Sequence, residues 1–256
     1  AVPTLTPWSR AEVMSAGPDI SVVVPFYDSE RHIRSCVESL LDQDGFDGTY
    51  ELILVDNGST DSSAAIVAEY PRVTVLAEST PGAYAARNRG IGHASAPLIA
   101  FTDADCVVAG DWLAAIREAM SDPRTAIVVG HCRYPARATL TLRLLGAYEA
   151  AKAEYVIERA SSELHFAYGN NMAVRASVFA ELGPFRRWKR AGDTELAHRL
   201  AARRPDLRLA YCPSMRVTHR EFLSTRARLR RLRLYRTTNA RVGDFRELDA
   251  WSRLRG

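Results

Sequence analysis

Leu98-Ile99-Ala100-Phe101-Thr102-Asp103-Ala104-Asp105 is a short apolar run that stops abruptly at two carboxylates spaced i and i+2. An apolar run of this length reads as a buried strand. At the mouth of a low-dielectric interior, two such carboxylates repel each other unless a cation lies beside them. Oxygen ligands favour a hard ion such as Mg²⁺ or Mn²⁺, which keeps waters and takes its remaining ligands from substrate phosphates. The same residues would also make an ordinary loop, with Asp103 capping a turn and Asp105 facing water.

Upstream of this run, strands and helices alternate. Ile20-Ser21-Val22-Val23-Val24-Pro25 is a β-branched run closed by a proline that cannot donate to a sheet ladder. A helix follows, with Ile33, Cys36, Val37, Leu40 and Leu41 on one face and Asp28 or Ser29 as its N-cap. Glu51 to Val55 is the next strand, and Asp56-Asn57-Gly58-Ser59-Thr60-Asp61 forms the turn into a helix from Ser62 to Glu69. Val73 to Ala77 reads as a strand and Tyr84 to His93 as a helix. This rhythm means a parallel sheet. Ligands on such sheets bind beyond the carboxyl ends of the strands, where Tyr27, Asp28, Asp56, Asp103 and Asp105 would converge. No GxGxxG follows the first strand, which argues against an ordinary dinucleotide site.

Composition bounds the rest. The chain has 256 residues, 47% hydrophobic and 25% charged, which suits one generous α/β domain, and no apolar stretch is long enough to span a bilayer. Ala1 to Asp19 carries three prolines and no signal pattern, so it is expected to be a loosely held arm. Cys36, Cys106, Cys132 and Cys212 are widely spaced with no CxxC pair, against a zinc site or disulfide scaffold and in keeping with a reducing cytoplasm. Net charge is +4, and all basic residues except Lys152 and Lys189 are arginine.

The blocks in this half resemble the inverting family-2 glycosyltransferases of the GT-A fold. Val24-Pro25-Phe26-Tyr27 resembles the family's V-P-x-Y-N opening, and Leu54 to Asp61 its V-D-D-G-S-T-D. Ala86-Arg87-Asn88-Arg89-Gly90-Ile91 resembles A-R-N-x-G-I, and Asp103-Ala104-Asp105 the metal-binding D-x-D. Order and spacing agree over about residues 20 to 110, which is more specific than any single block. The resemblance implies a Rossmann-like, mainly parallel α/β sheet with helices on both faces and an irregular acceptor-side half. It also implies a nucleotide site from Pro25, Tyr27, Asp56, Arg87 and Asp103, with Asp105 on the metal. Asp28 stands where the family usually has asparagine, so its carboxylate would need a hydrogen-bonded or outward orientation. Read as residues alone, Tyr27 suits base stacking or packing on a helix, Asp56 suits base recognition or a turn, and Arg87 suits phosphate or solvent.

The second half is less regular. Asp111 to Met120 reads as a helix with Trp112, Leu113, Ile116 and Met120 on one face, Ala126 to Val129 as a strand, and Thr139 to Arg159 as a long helix with Leu142, Leu145, Ala147, Val156 and Ile157 buried. Gly169 to Phe185 resembles the family's acceptor-side G-N-x-A-x-R segment, so Asn171 is expected near the acceptor. Arg186 to Arg190 is a basic run around Trp188, either an acceptor contact or an exposed loop. Gly192-Asp193-Thr194-Glu195-Leu196 opens a helix at the place of the family's E-D-x-(D/E)-L, so the resemblance makes Asp193 the catalytic base and Glu195 an acceptor-side acid, with Gly192 replacing the usual glutamate. An aspartate there is also an ordinary cap. Leu207 to Cys212 and Met215 to His219 read as two short strands, and in the resemblance His219 is a further metal ligand. Phe222 to Arg236 reads as a basic helix with Phe222, Leu229, Leu232 and Tyr235 on one stripe, either resting on anionic lipid or packing on the domain.

The expectation is therefore an arm (1–19), a GT-A domain (20–221, with a nucleotide-binding half 20–110 and an acceptor-binding half 111–221) and a basic helical extension (222–256). Its reaction would be metal-dependent, inverting, hexosyltransferase-type transfer from a nucleotide-sugar, UDP-linked by default, to a hydroxyl acceptor, lipid-linked acceptors included. Mn²⁺ or Mg²⁺ would be the cofactor, the location cytoplasmic or at the inner face of the membrane, and nucleic acid is not an expected partner. A nucleotidyltransferase would instead carry a glycine-rich phosphate loop after the first strand, and a basic nucleic-acid binder would show salt-dependent duplex binding.

Overall fold

The computed structural model describes residues 17–135, 138–155, 157, 167–188 and 191–220. The nucleotide-binding half contains β1 (Ile20–Phe26), α1 (Ile33–Leu41), β2 (Tyr50–Asp56), α2 (Ser63–Ala68), β3 (Val73–Ala77), α3 (Ala83–Ile91), β4 (Leu98–Thr102) and β5 (Cys106–Val108). The remainder contains α4 (Trp112–Ala119), β6 (Thr125–Arg133), α5 (Leu140–Glu154), β7 (Asn171–Arg175), α6 (Ala176–Leu182), α7 (Gly192–Arg203) and β8 (Arg208–His219). The expected arm falls almost wholly outside the described residues, as does the basic extension after Arg220. Asp19 is not loose: its amide donates to the Thr49 carbonyl at 2.8 Å and its carboxylate accepts from the Thr49 amide at 2.7 Å.

All eight strands share one sheet in the order β3-β2-β1-β4-β7-β6-β8-β5. β1 pairs in parallel with β2 and β4, and β2 with β3, as the strand-helix alternation requires. Beyond β4 the sheet is mixed. β7 runs antiparallel to β4 and β6, β6 is parallel to β8, and three-residue β5 lies antiparallel to β8. The two expected halves are thus one continuous sheet.

The apolar runs read as strands because both faces are covered. Val22, Val24, Leu52, Leu54 and Ala100 pack towards α1, α2 and α4, whereas Val23, Ile53, Val55, Ile99 and Phe101 pack towards α3, α6 and α7. A strand buried on both sides needs no polar alternation. Trp112, Leu113, Ile116 and Met120 are all buried, as the helical spacing of α4 predicted. In α5, Thr139 caps the helix by accepting from the Leu142 amide and Leu142 is buried, but Ala147 is exposed, and Val156 lies outside the described residues.

Two local expectations change. The N-cap of α1 is His32, not Asp28 or Ser29, because residues 29–32 first form a turn in which the Ser29 carbonyl accepts from the His32 and Ile33 amides. The two short strands expected around Pro213 are one strand, β8, whose register against β6 shifts between Gly130 and His131. A proline lacks the amide that regular pairing needs, so the chain bulges there and resumes. Gly130 lies at this shift, where an added Cβ would sit 2.3 Å from both Asn171 Nδ2 and the Met215 carbonyl oxygen.

Candidate active site

A cleft of about 760 Å³ opens beyond the carboxyl ends of β1, β2 and β4, lined by Pro25, Tyr27, Asp28, Asn57, Asp103 and Asp105 among others. Tyr27 is 60% exposed, so its ring face is open to a planar ligand. Asp28 adopts φ 44°, a left-handed conformation that Asp and Asn tolerate better than other side-chain-bearing residues, and its carboxylate accepts from the Thr60 amide at 2.8 Å. That bond, more than any other contact, lowers the Asp28 pKa, so of the two orientations expected for this extra carboxylate it adopts the hydrogen-bonded one, at the cleft wall. Asp56 ends β2 and spends one oxygen on the Ser59 amide at 2.9 Å.

Asn57, which sequence reasoning passed over as a turn residue, organises the wall. Its amide donates to the Glu78 and Thr80 carbonyls, both at 2.8 Å, and its oxygen accepts from the Gly82 amide at 2.7 Å. These bonds fix the loop that launches α3. Asp61 does the same for the other wall, accepting from the Glu30 amide at 3.0 Å. The only signal in the sequence was the density of Asx and Ser/Thr residues between Asp56 and Asp61.

Arg87 neither faces solvent nor lines the cleft. It is buried, its Nη2 donates to Asp103 Oδ1 and, at 3.2 Å, to the Gly169 carbonyl, and its guanidinium stands 5.3 Å from the centre of the Tyr84 ring. Asp103 therefore presents a held carboxylate to the cleft. The amide of the same glycine completes a bridge, because Gly169 N–H donates to Asp193 Oδ2 at 2.7 Å. Asp193 also accepts from Tyr84 Oη at 3.0 Å and from the Thr194 amide at 2.8 Å. One arginine and the two backbone polar groups of one glycine thus link the first aspartate of the D-x-D to the carboxylate that opens α7.

Pairing of β5 with β8 sets Cys106 opposite His219, and the Arg220 amide donates to the Asp105 carbonyl at 2.8 Å. His219 Nε2 lies 3.5 Å from Asp105 Oδ2, and Asp105, Cys106 and His219 form a cluster of metal-capable side chains. Two donors bound at about 2.1 Å to one ion stand about 3.0–3.5 Å apart, so Asp105 and His219 fit a shared divalent cation. A carboxylate with an imidazole suits Mn²⁺ better than Mg²⁺, which prefers oxygen alone. The Cys106 thiol is buried, and burial followed by the Asp105 and Asp103 charges pushes its pKa well up.

Two expected acceptor contacts are corrected by their partners. Asn171 is fully buried: its Nδ2 donates to the His131 and Met215 carbonyls at 3.1 and 2.8 Å, while its Oδ1 accepts from Trp112 Nε1 at 2.9 Å. Both N–H groups and one lone pair of this buried amide are used by β6, β8 and α4, so it straps the sheet to the helix beside it. Glu195 is buried between Arg186 and Arg199, each at 3.0 Å, and Arg199 in turn donates to the Pro184 carbonyl at 3.0 Å. Its charge pins the α6–α7 connection. Trp188 is half-buried with the Arg186 guanidinium 5.5 Å from its ring, so the start of the basic run folds back towards α7. Lys189 and Arg190 lie outside the described residues. Asn88, also missed, makes paired hydrogen bonds with the Phe185 backbone at 2.8 and 3.0 Å and ties α3 to the same connection.

Comparison with known proteins agrees with this geometry. The Glycosyl transferase family 2 model matches residues 21–183. The glycosyltransferase AglE of Haloferax volcanii is 30% identical over 175 residues, covering 66% of this chain and 56% of that protein. Among solved structures, the mannosyltransferase PcManGT from Pyrobaculum calidifontis in complex with GDP-Man and Mn²⁺ superposes with a TM-score of 0.62 at 24% identity, covering 79% of this chain and 57% of that one. S. aureus TarS in complex with UDP-GlcNAc gives a TM-score of 0.59 at 18% identity, covering 80% and 59%. These likenesses carry the GT-A fold, and the chain spans little more than half the length of these three proteins. From the family match and the order of its sequence blocks, this chain belongs to glycosyl transferase family 2.

Proposed function

We propose that this chain transfers a sugar from a nucleoside diphosphate donor to a hydroxyl acceptor with inversion at the anomeric carbon. The observation that supports the reading is the bridge from Asp103 through Arg87 and the Gly169 backbone to Asp193. On this reading Asp103 would be the donor-side carboxylate and Asp193 the acceptor-side one, held by one hydrogen-bonded unit. Tyr27 and Asp56 would hold the nucleobase, with uracil the first candidate, and Asp103 the ribose. Asp105 and His219 would hold the divalent cation, Mn²⁺ before Mg²⁺, which when bound neutralises charge on the leaving diphosphate. Asp193 would accept the proton of the attacking hydroxyl, on the face of the sugar opposite the diphosphate. A membrane role for the expected basic extension falls outside the described residues; among those described, no helix is long and apolar enough to cross a membrane.

The test is a thermal-shift panel of UDP, GDP, ADP and CDP with and without Mn²⁺. A ligand that binds only the folded state adds about 2.7 kcal/mol at a hundredfold excess over its Kd. One diphosphate should raise Tm in a Mn²⁺-dependent way, and Asp105→Ala should remove that dependence without lowering the ligand-free Tm. Unchanged Mn²⁺-dependent stabilisation in Asp105→Ala removes the metal assignment.

A further inference from the structure

We infer that Tyr84 is a positioning residue, a phenol on α3 that aims the Asp193 carboxylate at the acceptor through a contact made possible by the bare Gly192. The inference rests on Asp193 being the base. Tyr84 Oη donates to Asp193 Oδ1 at 3.0 Å and receives the Asp193 amide at 3.4 Å, so one hydroxyl touches both ends of the residue. A Cβ at position 192 would lie 3.1 Å from three atoms of the Tyr84 ring. Such an approach is tighter than nearly all Cβ contacts, and the ring cannot readily yield: it is buried, packed 5.5 Å from the Phe185 ring and covered by the Arg87 guanidinium. Tyr84 and Gly192 are therefore a matched pair, the ring filling the space a side chain at 192 would take.

The count of acceptor directions shows what the hydroxyl adds. A carboxylate offers about four lone-pair directions. Gly169 and Thr194 amides take one on each oxygen, and Tyr84 takes a third. One remains, and with three donors in place its direction is fixed. Without the phenol, Oδ1 keeps only the amide of the next residue, which travels with the same backbone. Burial, and then the Asp193 charge, hold the Tyr84 phenol well above its usual ionisation range, so it stays a donor throughout ordinary pH.

Tyr84→Phe keeps the ring and its packing and removes only the hydroxyl. With UDP-N-acetylglucosamine or GDP-mannose, Mn²⁺ and water or octyl glucoside as acceptor, release of nucleoside diphosphate should fall about 10- to 100-fold in kcat with donor KM unchanged, the worth of a hydrogen bond to a charged group. Independently of turnover, amide hydrogen exchange at Gly169 and Thr194 in the ligand-free full chain should quicken about 10-fold, because both donate to the freed carboxylate. Gly192→Ala should reproduce both effects by displacing the ring, and should add nothing in a Tyr84→Ala background. Wild-type exchange in Tyr84→Phe overturns the inference whether or not either donor is turned over. Normal kcat in Tyr84→Phe while Asp193→Asn is inactive overturns it and leaves the base in place; normal kcat in Asp193→Asn overturns the base and the inference together.

Discussion

The two halves of the sheet solve the same problem by different means. From β1 to β4 the strands are parallel, β1, β2 and β4 are buried on both faces, and the strands end in loops whose polar side chains grip neighbouring backbone: Asp28 on Thr60, Asp61 on Glu30, Asn57 on three partners. From β6 to β8 the directions are mixed, and order comes from buried polar straps, Asn171 between Trp112, His131 and Met215 inside the sheet and Glu195 between two arginines on the covering helix α7. A loop held at the cleft mouth can be altered at modest cost to the fold. A strap in the core cannot, because its partners would be left buried and unpaired.

The largest effect expected from this contrast is chemical. Asp193→Asn keeps the side-chain shape and should lower turnover about 10²-fold or more with donor binding intact. Glu195→Gln, two residues on, breaks the pins to Arg186 and Arg199 and should lower stability, read as the urea midpoint, more than kcat. Inactivity of Glu195→Gln with unchanged stability, beside an active Asp193→Asn, would exchange the two roles. Next comes packing: Gly130→Ala places its Cβ against Asn171 and the Met215 carbonyl and should cost about 3 kcal/mol. Gly58→Ala, in the donor-side loop at φ 83° with open space around it, should cost about 1–2 kcal/mol, the left-handed penalty alone. Equal losses at the two glycines would erase the distinction between loop and strap.

The smallest effect is a pH dependence. His131 lies in the strapped half, half-buried, with Nδ1 3.0 Å from Tyr211 Oη, and burial, followed by Arg133 and Arg216, lowers its pKa from 6.5. The unfolded chain then binds the proton more readily, so His131 opposes folding increasingly as pH falls below its unfolded value, and the penalty levels off at its full size below the folded one. The urea midpoint should drop slightly from pH 7.5 to pH 5.5, and His131→Gln should flatten that drop. A drop identical in His131→Gln assigns it to other groups.

Legibility followed the same division. β1, β2 and β4 could be read because doubly buried strands are unbroken apolar runs, and the cleft because its polar residues follow strand ends in sequence. Asp105 and Asp103 were found in this way. Asn171 was expected near the acceptor from the resemblance of its segment, and nothing local reveals that Trp112 and Met215 come to meet it. Tyr84 was read as part of an alanine-rich helix, since its partner lies on α7. Arg87 was expected at the nucleotide or in solvent, for want of any sign that Asp103 would reach it. The N-cap of α1 failed because the Ser29 turn inserts before the helix begins.

The pairing of β5 with β8 would make the proposed cation site a late event in the life of the polypeptide. β5 is three residues long and Asp105 stands at its edge, while His219 closes the last described strand. A nascent chain emerging from the ribosome could complete β1 to β4 and present both aspartates well before its histidine had been synthesised. Loop closure over such a span is slow and entropically costly, so this contact belongs to the final stage of assembly. On the proposed reading, an incomplete chain would carry the D-x-D yet lack one of the two side chains proposed to hold the cation, and capture of Mn²⁺ would report that synthesis and folding had run through to β8.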